Sequence, residues 1–187
     1  MDHYLDIHLL PDPEFAPHQL LAALYAKLHR ALVQSAANGV AVSFPGYSES
    51  PPRLGTCLRL IGSAPDLEAL MTQDWLRGMR DHIKVDAVAV VPADAVQRTL
   101  RRVQAKSSPA RLRRRQMRRH GFSEVEAVQR VPDSAEERLD LPFVQLASGS
   151  TGQNFRLYLR LGAPQQSRST GTFNTFGLSS TATIPCF

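Results

Sequence analysis

Residues 3–9, HYLDIHL, alternate apolar and polar positions with the period of a half-buried strand. The pattern then changes period. In PHQLLAALYAKLHRALVQS (17–35), Leu21, Leu24, Tyr25, Leu28 and Leu32 recur at helical spacing on one face, and Asn38-Gly39 follows as a stop signal. VAVSF (40–44) and CLRLIG (57–62) read as strands, separated by the Pro- and Ser-rich loop PGYSESPPRLG. Asp66 to Arg80 reads as a second helix whose apolar face carries Leu67, Leu70, Met71 and Trp75. IKVDAVAVV (83–91) reads as a further strand closed by Pro92. The order β-α-β-β-α-β predicts a ferredoxin-like domain over residues 1–93, within an α+β chain.

The rest, 94–187, predicts an α/β region. Ser108-Pro109 is a helix start, with Ser as N-cap and Pro at the first helical position. Gly121 is placed to end that helix, which spans 109–120. SEVE (123–126) is a capping box for another short helix that stops before Pro132. PFVQLAS and NFRLYLRL then predict two strands, with Phe155, Leu157, Leu159 and Leu161 on one side of the second. The Ser-, Thr- and Gly-rich tail from Gln165 to Thr183 predicts loops and short strands.

Charge alters this ordinary picture. Residues 1–93 carry 7 Lys and Arg against 10 Asp and Glu, whereas residues 94–187 carry 15 against 7. No acid occurs from Ala95 to Ser123. In the 109–120 helix, Arg111, Arg114, Arg115, Arg118 and Arg119 share one side. A solvated helix face normally mixes signs, so this one predicts a polyanion partner. Arginine offers planar, bidentate donors for phosphate and for the guanine edge. Just ahead, Arg102 and Gln104 share one side of an extended segment, and these are side chains that pair with G and A edges. DNA and structured RNA both satisfy that chemistry. No apolar run has the length of a membrane span, the N-terminus is no secretory signal, and Cys57 and Cys186 make neither a disulfide framework nor a zinc spacing. A cytoplasmic location is the expectation.

Two candidates for chemistry remain. A histidine is ordinarily structural or merely exposed. His29 is the one of six that sits at the border of an apolar helix face, sheltered enough to hold one tautomer. ASGSTGQNF (147–155) brings hydroxyls, glycines and backbone N–H groups together; it reads as a polar hairpin turn or as a phosphate contact. No Asp/Glu cluster suggests a two-metal nuclease site. If the chain cuts nucleic acid, a metal-free route through the 2′-OH of RNA is favoured, with a histidine as base.

RVQAKS, RLRRRQMRRH and STGQNFRL, in that order and spacing, resemble the type I-F CRISPR repeat-processing endoribonuclease family over the whole chain. The resemblance implies an enzyme that cuts the repeat hairpin of precursor crRNA at the 3′ base of its stem. It leaves a cyclic phosphate and a 5′-hydroxyl, and uses no metal or other cofactor. It also implies that the enzyme keeps the mature crRNA and joins the other type I-F surveillance-complex proteins. His29 then matches the general base and Ser148 the hydroxyl that orients the scissile nucleotide. Arg114, Arg115, Arg118, Arg119 and His120 match groove and phosphate contacts, Arg102 and Gln104 the base-reading pair. Ser150 and Thr151 match neighbouring RNA contacts, and Phe155 the aromatic that stacks on the last base pair. Phe176 stands where the family pattern has a tyrosine, which implies slower chemistry with RNA affinity nearly unchanged. The alternative is a non-catalytic RNA- or DNA-binding module built on the same basic helix; a structural subunit docked on an acidic protein is a second.

Overall fold

The computed structural model describes residues 1–35, 39–104, 109–133, 139–148 and 152–187. It is a mixed α+β chain. In chain order the elements are β1 (His3–Leu9), α1 (Pro17–Ser35), β2 (Ala41–Ser43), β3 (Ser48–Glu49), β4 (Pro52–Arg53), β5 (Cys57–Gly62) and α2 (Ala64–Met71). Two short 3-10 turns follow at Asp74–Leu76 and Arg80–His82, then β6 (Ile83–Val85), β7 (Ala89–Val90), β8 (Val96–Arg98) and β9 (Leu100–Val103). Last come α3 (Pro109–His120), α4 (Glu124–Arg130), β10 (Phe143–Ala147), β11 (Asn154–Leu161) and β12 (Ile184–Cys186). The described chain divides into two compact units, Met1–Val103 with Leu141–Phe187, and Gln104–Asp140.

In the first unit, an antiparallel sheet runs β2-β5-β1-β6, with β7 also on β1. The β1–β5 register sets Leu5 opposite Leu60 and Ile7 opposite Leu58, so one face of both strands is apolar. α1 covers it with the predicted stripe: Leu21, Leu24, Tyr25, Leu28 and Leu32 are all buried. Burying each such side chain contributes roughly 1.5–3 kcal/mol. The opposite face carries Asp6 and Arg59, a register pair joined by two buried hydrogen bonds, from Arg59 Nε at 2.7 Å and its terminal nitrogen at 2.8 Å. The guanidinium also lies 3.8 Å from the Phe187 ring centroid, so charge and ring close this face together.

Two predicted elements are broken in the structure. The helix read over 66–80 starts earlier, at the Ser63 N-cap, and stops at Met71 with Thr72 as its C-cap. Gly78 has φ +76, which no helix accommodates, and the intervening 3-10 turn buries Trp75. The strand read over 83–91 is two strands on the same edge of β1. Between them, the Asp86 carboxylate turns toward His8 Nε2 (2.9 Å) and Lys84 (3.3 Å), while its N–H bonds the Asp6 carbonyl.

A three-stranded sheet, β10-β11-β9, completes the first unit, with β10 at an edge. Leu100, Val144, Leu146, Leu157 and Leu159 join the same core as α1, which packs against both β1 and β10. β12 pairs with β8.

In the second unit, the expected Ser108 N-cap lies outside the described residues. Gly121, at φ +68, ends α3 and donates its N–H to the Met117 carbonyl. The predicted capping box is present: Ser123 accepts from the Glu126 N–H, and Glu126 accepts from the Ser123 N–H at 2.9 Å. Leu112, Arg113, Gln116 and Met117 form the half-buried side of α3, and α4 buries Ala127. Among the described residues, no helix is long and apolar enough to cross a membrane.

Candidate functional site

α1 carries His29 one position beyond the fully buried Leu28, so the imidazole emerges half-buried at the edge of the apolar stripe. There it meets a loop from the far end of the chain. Its Nδ1 lies 2.8 Å from the Thr175 backbone carbonyl. A carbonyl only accepts, so Nδ1 carries the hydrogen and Nε2 keeps its lone pair in the neutral ring. The ring also stacks on Phe176, with centroids 3.8 Å apart and planes 4° from parallel.

That loop is itself fixed. Asn174 Oδ1 accepts from the N–H groups of Phe176 (2.9 Å) and Leu178 (3.2 Å), an Asx turn. The Phe176 carbonyl accepts from the buried Tyr25 hydroxyl at 2.7 Å. Burial pushes the Tyr25 phenol far up, so it remains a neutral donor. Gly177, at φ +68, accepts from the Val42 N–H, and a Cβ there would meet Val42 Cγ1 at 2.8 Å.

His29 opens onto a cavity of about 450 Å³. α1 contributes Ala26, His29, Arg30 and Val33 to it; β10 and its exit contribute Leu146, Ala147 and Ser148; Phe155 and Phe176 complete the wall. Ser148 is set by the turn that leaves β10: its N–H donates to the Gln153 carbonyl and its carbonyl accepts from Gly152. A base, a hydroxyl, an exposed guanidinium at Arg30 and an aromatic ring thus face one space. Ser150 and Thr151 lie outside the described residues. Arg102 is exposed on β9, with its guanidinium 5.7 Å from the Phe155 centroid. Gln104 is exposed at the start of the second unit.

On α3, Arg111, Arg114, Arg115, Arg118, Arg119 and His120 are all exposed, and His120 stacks on Phe122 at 5.4 Å. Arg113 differs. Its Nε donates to the Val131 carbonyl at 2.8 Å and its terminal nitrogen to Asp133 at 2.6 Å. It ties the two helices of its unit together, a role that sequence spacing did not reveal. The Asn174–Gly177 turn behind His29 is likewise not singled out by the sequence pattern, though Asn174 with Gly177 three positions on is a turn signal within the tail.

Among the described residues, one group of potential metal ligands comes together, Asp6, His8 and Cys57. Both Asp6 oxygens already accept from Arg59, and His8 Nε2 is engaged with Asp86. Burial pushes the Cys57 thiol up to about 12, so it holds its proton. The group fits a closed polar patch better than an ion site.

Two curated proteins align with the chain end to end. The CRISPR-associated endonuclease Cas6/Csy4 of Pseudomonas aeruginosa (strain UCBPP-PA14) is 53% identical over 187 residues, covering 100% of both chains. The protein of the same name from Escherichia coli (strain UTI89 / UPEC) is 44% identical over the same span, again covering 100% of both. The family model described as CRISPR-associated protein (Cas_Csy4) matches residues 4–187. With a match of that extent, this chain belongs to the Cas_Csy4 family of CRISPR-associated proteins.

Proposed function

We propose that this chain is a crRNA-processing endoribonuclease that cuts CRISPR repeat hairpins at the 3′ base of the stem, without a metal, and retains the product. Membership of a family whose curated relatives are named endonucleases supports the enzyme class. One observation carries the chemistry: His29 donates Nδ1–H to a backbone carbonyl and lies flat on Phe176, beside Ser148 and Phe155 in one cavity. In that tautomer Nε2 is a base aimed at work other than structure. It takes the proton of the 2′-OH, whose oxygen attacks the adjacent phosphorus. The bond to the leaving 5′-oxygen breaks, that oxygen takes a proton from solvent, and a cyclic phosphate remains. Ser148 steadies the scissile nucleotide, and Phe155 stacks on the last base pair of the stem.

The exposed cations of α3 suit the phosphates of a folded stem: Arg114, Arg115, Arg118, Arg119 and His120 share that role, with Ser150 and Thr151 as further contacts. Arg102 and Gln104 read bases near the foot of the stem. Residues 94–187 act as the RNA-holding half and 1–93 as a ferredoxin-like half. The β2-β5-β1-β6 strand order supports the latter assignment. The enzyme works in the cytoplasm and passes with its crRNA into the type I-F surveillance complex. A labelled repeat hairpin incubated in EDTA tests the reading: it is cut, and the same RNA with a 2′-deoxy nucleotide before the cut binds but survives. Cleavage of the deoxy RNA would falsify the 2′-OH route.

A further inference from the structure

Among the described residues, a second cavity is set between α1 and β10 beyond the one at His29. The second, of about 500 Å³, is lined by Pro17, His18 and Leu21 of α1, by residues 52–56, and by Phe143, Val144 and Gln145 of β10. α1 and β10 therefore run side by side, with residues 18 and 21 against 143–145 and residues 26–34 against 146–148. At 1.5 Å per residue, His18 lies about 16 Å along α1 from His29. Ala22 and Ala26, on the same stripe, keep the surface between them low.

The lining chemistry has one sign. None of the residues lining either cavity is acidic, and α1, β10 and β11 contain no Asp or Glu at all. Arg30 stands exposed at the His29 end; His18 and Arg53 stand exposed at the far end. Phe143, 41% exposed, lines the far cavity with His18 and Arg53, and the Arg156 guanidinium lies 4.8 Å from its ring centroid. Exposed guanidiniums and an aromatic ring, with no acid in either lining, are what an unpaired nucleic-acid strand needs: charge for the backbone and a flat face for a base.

We propose that the α1/β10 crevice is a track for the single-stranded RNA on the 3′ side of the cut. The inference rests on the function proposed above. If the reacting phosphate sits at His29 and the stem stacks on Phe155, the strand continuing past that phosphate starts at the His29 end of this crevice. The 5′ flank leaves from the other strand of the stem and has no such start. A few nucleotides reach Arg53, His18 and Phe143. The leaving strand is thereby drawn taut away from the stem, which favours the in-line arrangement of attacking and departing oxygens.

The test uses the full chain and 2′-deoxy-blocked repeat hairpins of three forms: ending one nucleotide past the cut, carrying a 3′ unpaired extension, or carrying the same extension at the 5′ end. Fluorescence anisotropy should show that the 3′ extension tightens binding about tenfold. Arg53→Ala with Phe143→Ala should erase that gain and leave the affinity for the stem-only RNA unchanged, which also reports that the variant is folded. Arg53→Lys should keep most of the gain. No gain from the 3′ extension, an equal gain from the 5′ extension, or equal losses on all three RNAs overturns the track. Self-association of the free protein that disappears in the same variant assigns the crevice to a second copy and overturns it too. Cleavage of the unblocked hairpin by the wild-type chain, run in parallel, keeps a failure of this inference distinct from a failure of the proposed function.

Discussion

At the scale of single residues, His29 shows how a tautomer is chosen by a partner remote in sequence. The carbonyl of Thr175 takes the Nδ1 hydrogen, and Phe176 holds the ring plane. His29→Ala is accordingly expected to slow single-turnover cleavage by about 10²–10⁴-fold while the Kd for a 2′-deoxy hairpin stays within about twofold. A variant that cuts at the wild-type rate removes His29 from the chemistry. Phe176 makes a finer case. The family resemblance implies a tyrosine at this position, and therefore slower chemistry here for want of a hydroxyl that orients the imidazole. Here the orientation already comes from a backbone carbonyl and a ring contact, neither of which needs that hydroxyl. Phe176→Leu, which loses the flat contact, should therefore slow the reaction more than Phe176→Tyr speeds it. Single-turnover rates of the two variants at saturating enzyme decide between the ring and the hydroxyl.

At the scale of elements, the boundaries that sequence predicts well are those set by local chemistry. The Ser123–Glu126 capping box and the Gly121 stop are carried by adjacent residues, and both stand as read. So does α1, whose stripe is long enough to average out exceptions. The errors arise where tertiary contacts override the pattern: α2 ends early so that Trp75 can turn into the core, and the 83–91 strand breaks at Asp86. At the site, His29 is legible as a residue type at the edge of an apolar stripe, and the segment after β10 as a polar turn between two paired strands. The loop that holds His29, and Arg113's partner 20 residues away, are products of folding and carry no local signature. Arg113→Ala should lower the stability of the α3/α4 pair, read by amide exchange in α4, whereas Arg114→Ala should leave exchange unchanged and weaken RNA binding. Equal exchange in both would make Arg113 one more RNA cation. The capping box adds a pH dependence. Hydrogen bonds from the Ser123 N–H and hydroxyl hold the Glu126 carboxyl below its ordinary value of 4.5. A group lowered on folding stabilises the fold fully above its unfolded pKa, and that contribution is lost as the pH falls through the folded one. Wild type and Glu126→Gln should thus differ in α4 exchange at neutral pH and converge only as the pH falls below the depressed folded value.

For the whole molecule, charge is the property that no single contact describes. The chain carries a net +5, built from a slightly acidic first half and a strongly basic second half. Within α3, Arg113 spends its charge on Asp133, while Arg114, Arg115, Arg118, Arg119 and His120 face solvent. Cations that neutralise phosphates release condensed counterions, so affinity must fall as salt rises, by a slope that counts the contacts. Exposed cations that merely solubilise the chain give no such slope, and cations that dock an acidic protein give one for that protein and not for RNA. The Kd for the 2′-deoxy hairpin should weaken by about 10³-fold or more between 50 and 200 mM salt if roughly six phosphates are engaged. Replacing Arg114 and Arg118 by Gln should reduce the magnitude of the log–log slope by roughly two, because two counterions fewer are released. Arg113→Gln should leave it unchanged, since that guanidinium is already neutralised by a carboxylate. A flat salt response in the wild type, or one that Arg113→Gln reduces as much as the Arg114 and Arg118 pair does, would mean that the exposed arginine face of α3 does not hold the RNA.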